Sequence, residues 1–302
     1  MPAVLEDMND DGREFGYSAR DFKRVREMIY ARAGIALSDS KVDMVYSRLA
    51  RRLREVEVQR FGDYLDALEA DPDSAEWEKF TNALTTNLTS FYREAHHFEI
   101  LSKFLLKRRA KPGGERMLIW CSAASTGEEP YTLAMTAIET FGTLTPPVSI
   151  LATDIDTQVL QTAQAGVYPL DRIERLSPER IKKFFLRGSG AHSGYVKVNE
   201  ALSRLIIFRQ LNLLDQSWPL RGPFDAVFCR NVMIYFDKQT QHEILKKMKP
   251  LLKADGLFFA GHSESFHHAV DLFKPCGRSV YEPVSLRAMS AVTTQRVAAA
   301  MR

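Results

Sequence analysis

The sequence predicts an α/β fold for its larger part, preceded by a small all-helical domain. Three observations carry that expectation. Apolar residues recur at helical spacing up to about residue 85. Beyond Lys111-Pro112-Gly113-Gly114, short apolar runs alternate with amphipathic stretches, the sequence sign of βαβ units and a mainly parallel sheet. The length of 302 residues, with 45% hydrophobic and 26% charged residues, suffices for two domains of ordinary globular composition.

Residues 1–16 are polar and acidic and are expected to be disordered, since they bury too little apolar area to offset their ordering entropy. Ser18 then predicts a helix cap, with Phe22, Val25 and Ile29 following at helical spacing and Gly34 as the stop. A second helix follows Ser38 or Ser40. Val42, Val45, Leu49 and Leu53 form its apolar stripe, and Arg48, Arg51, Arg52 and Arg54 lie off it. Residues 61–68 and 77–84 predict two further helices on either side of the breaker Asp71-Pro72-Asp73-Ser74. The helical domain is therefore set at 17–85.

In the remainder, 86–284, strands are predicted at 117–121, 148–153, 205–211, 226–229 and 257–260, with helices at 131–141, 158–165 and 239–252. The alternation breaks at 167–204. A short helix capped at Ser177-Pro178, the loop RGSGAHSG and the alternating Tyr195-Val196-Lys197-Val198 predict a small β-subdomain inserted in the sheet domain. Residues 285–302 lack strong caps and are expected to form a disordered tail.

Several function classes fall away. No apolar run approaches a membrane span, and the acidic N-terminus has no apolar export segment, so a cytoplasmic protein without membrane insertion is expected. Cys121, Cys229 and Cys276 are odd in number and widely spaced, which indicates neither disulfides nor zinc. His96-His97 and His267-His268 are adjacent pairs whose side chains diverge on a helix, so no metal is expected. GHSES lacks the second glycine of a nucleophile elbow. A net charge of +3 gives no ground for a nucleic-acid partner.

The stretch CSAASTGEEPYTLAM joins the first apolar run to a helix, as a phosphate-binding turn would. It matches neither G-x-G-x-x-G nor the P-loop, and it places Glu128 and Glu129 where a phosphate site wants amides or lysine. Two carboxylates there suit hydroxyl or amino donors or a positive charge, or else they complement a helix N-terminus. Asp154 in LATDIDT closes the second strand about 25 residues further on, the position of a ribose-binding acid, and Asp156 reads as the next helix cap. A glycine-poor turn with a ribose acid fits a nucleoside cofactor without pyrophosphate, and S-adenosylmethionine is one. TTNLTSFYRE and CRNVMIYFD are polar for their surroundings, as orienting groups of a pocket are, although capping and packing would also account for Asn87, Thr89 and Ser90.

Taken in order, TTNLTSFYREAHHF, SAASTGEEPYTLA, ATDIDTQVL, GPFDAVFCRNVMIYFDKQTQ and DGLFFAGHSE resemble the bacterial chemotaxis receptor methyltransferases, the CheR family, over roughly residues 17–281. The resemblance implies a Rossmann-like S-adenosylmethionine-dependent methyltransferase domain with an inserted small β-subdomain, behind a helical N-terminal domain. It implies methyl transfer to receptor glutamates, leaving S-adenosylhomocysteine. By resemblance, Asn87, Thr89, Arg93, Glu129, Asp154, Asn212, Leu213, Arg230 and Asn231 contact the cofactor, and Tyr235 lies beside the transferred methyl. Arg93 and Tyr235 are the expected catalytic pair, and a guanidinium at 93 suits the cofactor's carboxylate or the acceptor's equally.

The implied partners are the cytoplasmic helices of chemoreceptors. A receptor C-terminal pentapeptide is a further one, adding a strand to the β-subdomain near Gly188-Ser189-Gly190 and residues 195–198. A monomer is expected. An acidic receptor helix needs a basic surface, and residues 41–60 carry six basic against three acidic residues, so Arg48, Arg51, Arg52 and Arg54 are expected to bind it. A solvated helix face, with an Arg51–Glu55 pair, is the plainer alternative. Two rival functions stand beside this one: a non-catalytic cofactor-binding adapter, and a methyltransferase acting on another substrate. Against nucleic acid, RNVMIY occupies the place of an Asn/Asp-Pro-Pro-aromatic motif.

Overall fold

A computed structural model describes residues 13–110 and 115–284. The expectations for residues 1–12, Lys111 to Gly114 and 285–302 lie outside the described residues. The chain divides into two compact units between Thr86 and Asn87.

The first unit is a set of four helices, α1 (Ala19–Ala33), α2 (Val42–Glu55), α3 (Phe61–Ala70) and α4 (Glu76–Leu84). Ser18 caps α1 as its sequence predicts. Its hydroxyl accepts from the Asp21 amide at 3.2 Å, the Asp21 carboxylate accepts from the Ser18 amide at 2.9 Å, and Gly34 ends the helix with φ of 67°. Val25, Ile29, Val45, Leu49, Leu53, Phe61, Leu65 and Phe80 are fully enclosed and form the core.

Two expectations for this unit need correction. Order begins before residue 17: Phe15 is buried, its amide donates to the Tyr46 hydroxyl at 3.2 Å, and the Tyr17 ring lies 4.5 Å from that of Phe61. Burying these aromatics offsets the entropy of ordering the segment. The α2 arginines also do not form one exposed face. Arg52 is buried and forks onto Glu76, Nε to Oε1 at 2.9 Å and Nη2 to Oε2 at 2.8 Å, and it takes Glu55 as well, so the Arg51–Glu55 pair is replaced. Arg48 donates to the carbonyls of Ala83 and Thr85 at the end of α4, at 3.2 and 2.5 Å. Arg51 is exposed, and Arg54, also exposed, pairs with Glu14 at 2.7 Å.

The second unit opens with α5 (His96–Arg109) and continues β1 (Met117–Cys121), α6 (Glu128–Phe141), β2 (Val148–Asp154) and α7 (Thr157–Ala165). The insertion follows as β3 (Val167–Pro169), α8 (Pro178–Phe184), β4 (Phe185–Arg187), β5 (Tyr195–Val198) and α9 (Glu200–Ser203). The chain then forms β6 (Ile206–Gln210), β7 (Phe224–Cys229), α10 (Lys238–Met248), β8 (Leu252–Ala260), β9 (Phe273–Gly277) and β10 (Val280–Pro283). The main sheet has the order β6-β2-β1-β7-β8-β10-β9. Its first five strands are parallel, while β10 runs antiparallel to β8 and β9. The connections step outward from β1 on one side to β2 and β6 and on the other to β7 and β8. A parallel sheet binds its ligand at that reversal, beyond the carboxyl ends of β1 and β7.

The insertion is a three-stranded antiparallel sheet of order β3-β5-β4. Strand β5, residues 195–198, is its middle strand with both edges already paired, so a peptide added to the subdomain must use β4 or β3. The helix expected to reach residue 252 stops at Met248. Pro250 sits in the tight turn Lys249–Leu251, and Leu252 already pairs with Phe224 in the sheet.

Candidate active site

At the end of β1 the chain turns through Ser125, with φ of 49°, and Gly127, with φ of 100°. A Cβ at Gly127 would stand 2.7 Å from the Tyr168 hydroxyl, which donates to the Thr126 carbonyl at 2.7 Å. Only glycine lets the insertion grip the turn so closely.

The two glutamates that follow have different fates. Glu128 is fully buried and turned inward, accepting from the Thr126 hydroxyl at 2.6 Å and pairing with Arg172 of the insertion. Glu129 is half-buried. One of its oxygens accepts from the Cys121 thiol at 3.2 Å and the other from Arg230 at 2.5 Å.

Asp154 closes β2 and is buried, with one oxygen on the Ser125 amide at 2.8 Å and the other on the Asp156 amide at 3.0 Å. Burial pushes its carboxyl up to about 6, although those amides favour the charged form. Asp156 caps α7 as expected, accepting from Gln158 and Val159 at 2.9 and 3.2 Å. Its second oxygen receives the Asn87 amide group at 2.9 Å, and Ser125 returns a hydroxyl to the Asn87 carbonyl at 3.0 Å. The segment bearing Asn87, Thr89 and Arg93 is thus tied to the ends of β1 and β2. Arg172 adds a contact to the Thr89 carbonyl at 3.3 Å. Arg93 is half-buried, donates to the Leu88 carbonyl at 2.8 Å, and forms no ion pair among the described residues.

At the end of β7, the Arg230 side chain is 1% exposed and is held by Glu129, by Glu94 at 3.2 Å and by the Arg93 carbonyl at 2.6 Å. Its guanidinium is engaged by the protein itself, which differs from the expected role as a cofactor ligand. Burial opposes ionisation of Glu94, but Arg230 and the hydrogen bonds from His262 hold its carboxyl at about 2. Burial, with the Arg230 charge, depresses His97 to about 4. Asn231 is half-buried with φ of 57°, and Tyr235 ends the short turn Met233–Tyr235, also half-buried. After β6, Asn212 accepts the Leu214 amide at 3.0 Å and Leu213 is buried.

Sequence reasoning missed Glu94, Arg172 and Glu264. Their partners come from distant parts of the chain, 137 residues away for Glu94 and Asn231 and 44 for Arg172 and Glu128, and no local pattern announces them. A groove of about 430 Å³ lined by Tyr92, Glu99, Lys103, Glu139 and Arg180 shares none of the expected site residues. Its Arg180 already pairs with Glu139 and covers the Tyr92 ring.

The donor set at the strand ends fits S-adenosylmethionine. Asp154 and Glu129 offer carboxylate oxygens to hydroxyl and ammonium donors, Leu213 offers an apolar wall, and Arg93 is a guanidinium lacking a carboxylate partner among the described residues. Residues 87–281 match the S-adenosylmethionine-binding domain of CheR methyltransferases, and residues 20–85 match the CheR methyltransferase all-alpha domain. The chain belongs to the CheR methyltransferase family. It is 51% identical over 283 residues to chemotaxis protein methyltransferase 2 of Pseudomonas aeruginosa, covering 94% of this chain and all of that protein. It is 50% identical over 260 residues to the chemotaxis protein methyltransferase of Salmonella typhimurium, covering 86% of this chain and 88% of that one. The Escherichia coli protein of the same name is 50% identical over 260 residues, 86% of this chain and 89% of its own length. This CheR chain is an S-adenosylmethionine-dependent methyltransferase of chemotaxis. Among its described residues no helix is long and apolar enough to cross a membrane.

Proposed function

We propose that this CheR protein methylates the side-chain carboxylates of glutamates on the cytoplasmic helices of chemoreceptors, acting as a monomer in the cytoplasm. The observation that carries the reading is Arg93, whose carbonyl is held by Arg230 just after β7 and whose half-buried guanidinium has no carboxylate partner among the described residues. It supplies the counter-charge that a carboxylate, the cofactor's or the acceptor's, needs there.

Bound S-adenosylmethionine supplies a sulfonium-activated methyl. An acceptor glutamate is already ionised at pH 7 and needs no base, so the protein's work is alignment. Asp154 accepts the ribose hydroxyls, Glu129 the amino group, and Leu213 packs on the adenine. Asn87, Thr89, Asn212 and Asn231 complete the cofactor's polar contacts, with Tyr235 beside the reacting centre. Arg230 supports them by fixing Glu129.

The exposed α2 arginines, Arg51 and Arg54, steer and hold the acidic receptor helix, while Arg48 and Arg52 brace the helix that carries them. A receptor tail peptide adds to the free edge of β4, because the other edge, β3, carries Pro169 and lacks that donor.

Labelled methyl transfer from S-adenosylmethionine to receptor membranes, followed by alkaline release of methanol, tests the reading. Label that resists alkali would mean another acceptor group. Cofactor binding without any transfer would favour an adapter.

A further inference from the structure

Glu264 lies in the GHSE turn just after β8 and is buried. Its Oε2 accepts the amides of Gly261 at 2.6 Å and Asn231 at 3.0 Å, and its Oε1 accepts those of Val232 at 3.0 Å and Ile234 at 3.3 Å. A carboxylate offers about four lone-pair positions, and here four main-chain donors fill them. Three of those donors belong to the segment that leaves β7, carries Asn231 and ends in Tyr235. That segment is not in the sheet ladder, so a buried acceptor from another strand end supplies what the ladder does not.

A second observation concerns the same place. A Cβ on Gly261 would stand 2.3 Å from the Asn231 amide nitrogen and 3.0 Å from its backbone nitrogen. The turn after β8 thus approaches Asn231 as closely as a bare backbone permits, and Asn231 holds its left-handed conformation against it.

We propose that Glu264 is a positioning residue for methyl transfer: by gathering four amides from two strand ends on one carboxylate, it fixes where Asn231 and Tyr235 stand toward cofactor and acceptor. Glu264 forms no ion pair among the described residues; burial pushes its carboxyl upward, and the amide donors oppose that shift by stabilising the charged form. This rests on the preceding reading of Asn231 and Tyr235.

Glu264→Gln keeps the size and replaces one acceptor oxygen by a donor that confronts two amides. Turnover on receptor membranes is expected to fall about tenfold or more, with the receptor KM little changed. Hydrogen exchange at Asn231, Val232, Ile234 and Gly261 is expected to accelerate while the β7 amides stay protected. Gly261→Ala displaces Asn231 without altering the carboxylate, and is expected to lower turnover while Val232 and Ile234 stay protected. Wild-type turnover in either variant would overturn the proposal. Loss of protection throughout β7 in Glu264→Gln would overturn it too, since the residue would then stabilise the fold rather than place the site. If the unaltered enzyme itself failed to methylate receptors, the functional reading would fall instead.

Discussion

The guanidinium of Arg230 and the carboxylate of Glu129 meet at 2.5 Å in the interior, brought from a strand end and a helix start 101 residues apart. Glu94 completes the cluster from a third segment at 3.2 Å. Removing the cation leaves two enclosed acids facing each other. Arg230→Ala is therefore expected to cost about 3–5 kcal/mol in denaturant unfolding. Arg230→Lys should recover little, because a point charge does not bridge both partners. A loss below about 1 kcal/mol in Arg230→Ala would mean that the cluster is not held by charge.

The cluster also sets a pH response. The folded-state value for Glu94, about 2, lies below its ordinary 4.5, so its stabilisation is present above 4.5 and is lost as pH falls through 2. In Arg230→Ala that acid-side contribution should shrink, which unfolding curves between pH 2 and 5 would register.

Asp154 behaves oppositely. Its folded value of about 6 lies above the ordinary 3.8, so its proton favours the fold below 3.8 and that advantage is lost as pH rises through 6. If Asp154 accepts the ribose hydroxyls as proposed, cofactor binding needs its ionised form. Affinity for S-adenosylmethionine is expected to fall as pH drops through about 6 in the native enzyme and to be flatter in Asp154→Asn. At pH 7.5, Asp154→Ala and Glu129→Ala should each weaken binding by about 1–3 kcal/mol. Calorimetry finding both affinities unchanged would remove these acids from the cofactor site.

The parts of this molecule written in local periodicity were legible. The caps Ser18 and Asp156 rest on neighbours within a few residues, and the strand at 117–121 and the inserted β-subdomain announce themselves by local apolar runs and alternation even though their pairing partners are distant. What was illegible depends on distant partners. Helix α5 was missed although His97, Phe98, Leu101 and Leu105 are its buried face, because Phe104 and Leu106 interrupt the polar side. The β9–β10 hairpin was missed because its turn, Gly277-Arg278-Ser279, has positive φ at all three residues but only one glycine to announce it. At the site, residue types were readable and their division of labour was not. Glu128 and Glu129 are adjacent, yet Arg172 takes one inward and Arg230 holds the other at the strand ends.

Tyr235 and Arg93 are expected to act mainly in the transition state. Tyr235→Phe and Arg93→Ala should then lower turnover more than they weaken cofactor binding, a split that steady-state kinetics and calorimetry on the same samples resolve. A Tyr235→Phe enzyme with full turnover would leave that hydroxyl without a part in catalysis.

The arginines of α2 separate a structural role from a substrate role on a single helix. Arg52 is buried on Glu76, so Arg52→Ala is expected to cost about 2–3 kcal/mol of stability and to affect methylation only through folding. Arg51 is exposed, and Arg54 shares a surface ion pair with Glu14 that screening by water makes weak. Reversing both, Arg51→Glu with Arg54→Glu, should leave the unfolding midpoint and the cofactor affinity in place. The receptor KM should rise, and the salt dependence of methylation should flatten, because the long-range attraction that salt screens has been removed. Arg52→Ala should show the reverse pattern, a lower unfolding midpoint with an unaltered salt dependence. If the double reversal methylated receptors at the native rate at low salt, the exposed face of α2 would be solvated surface, and the acceptor helix would have to be gripped elsewhere.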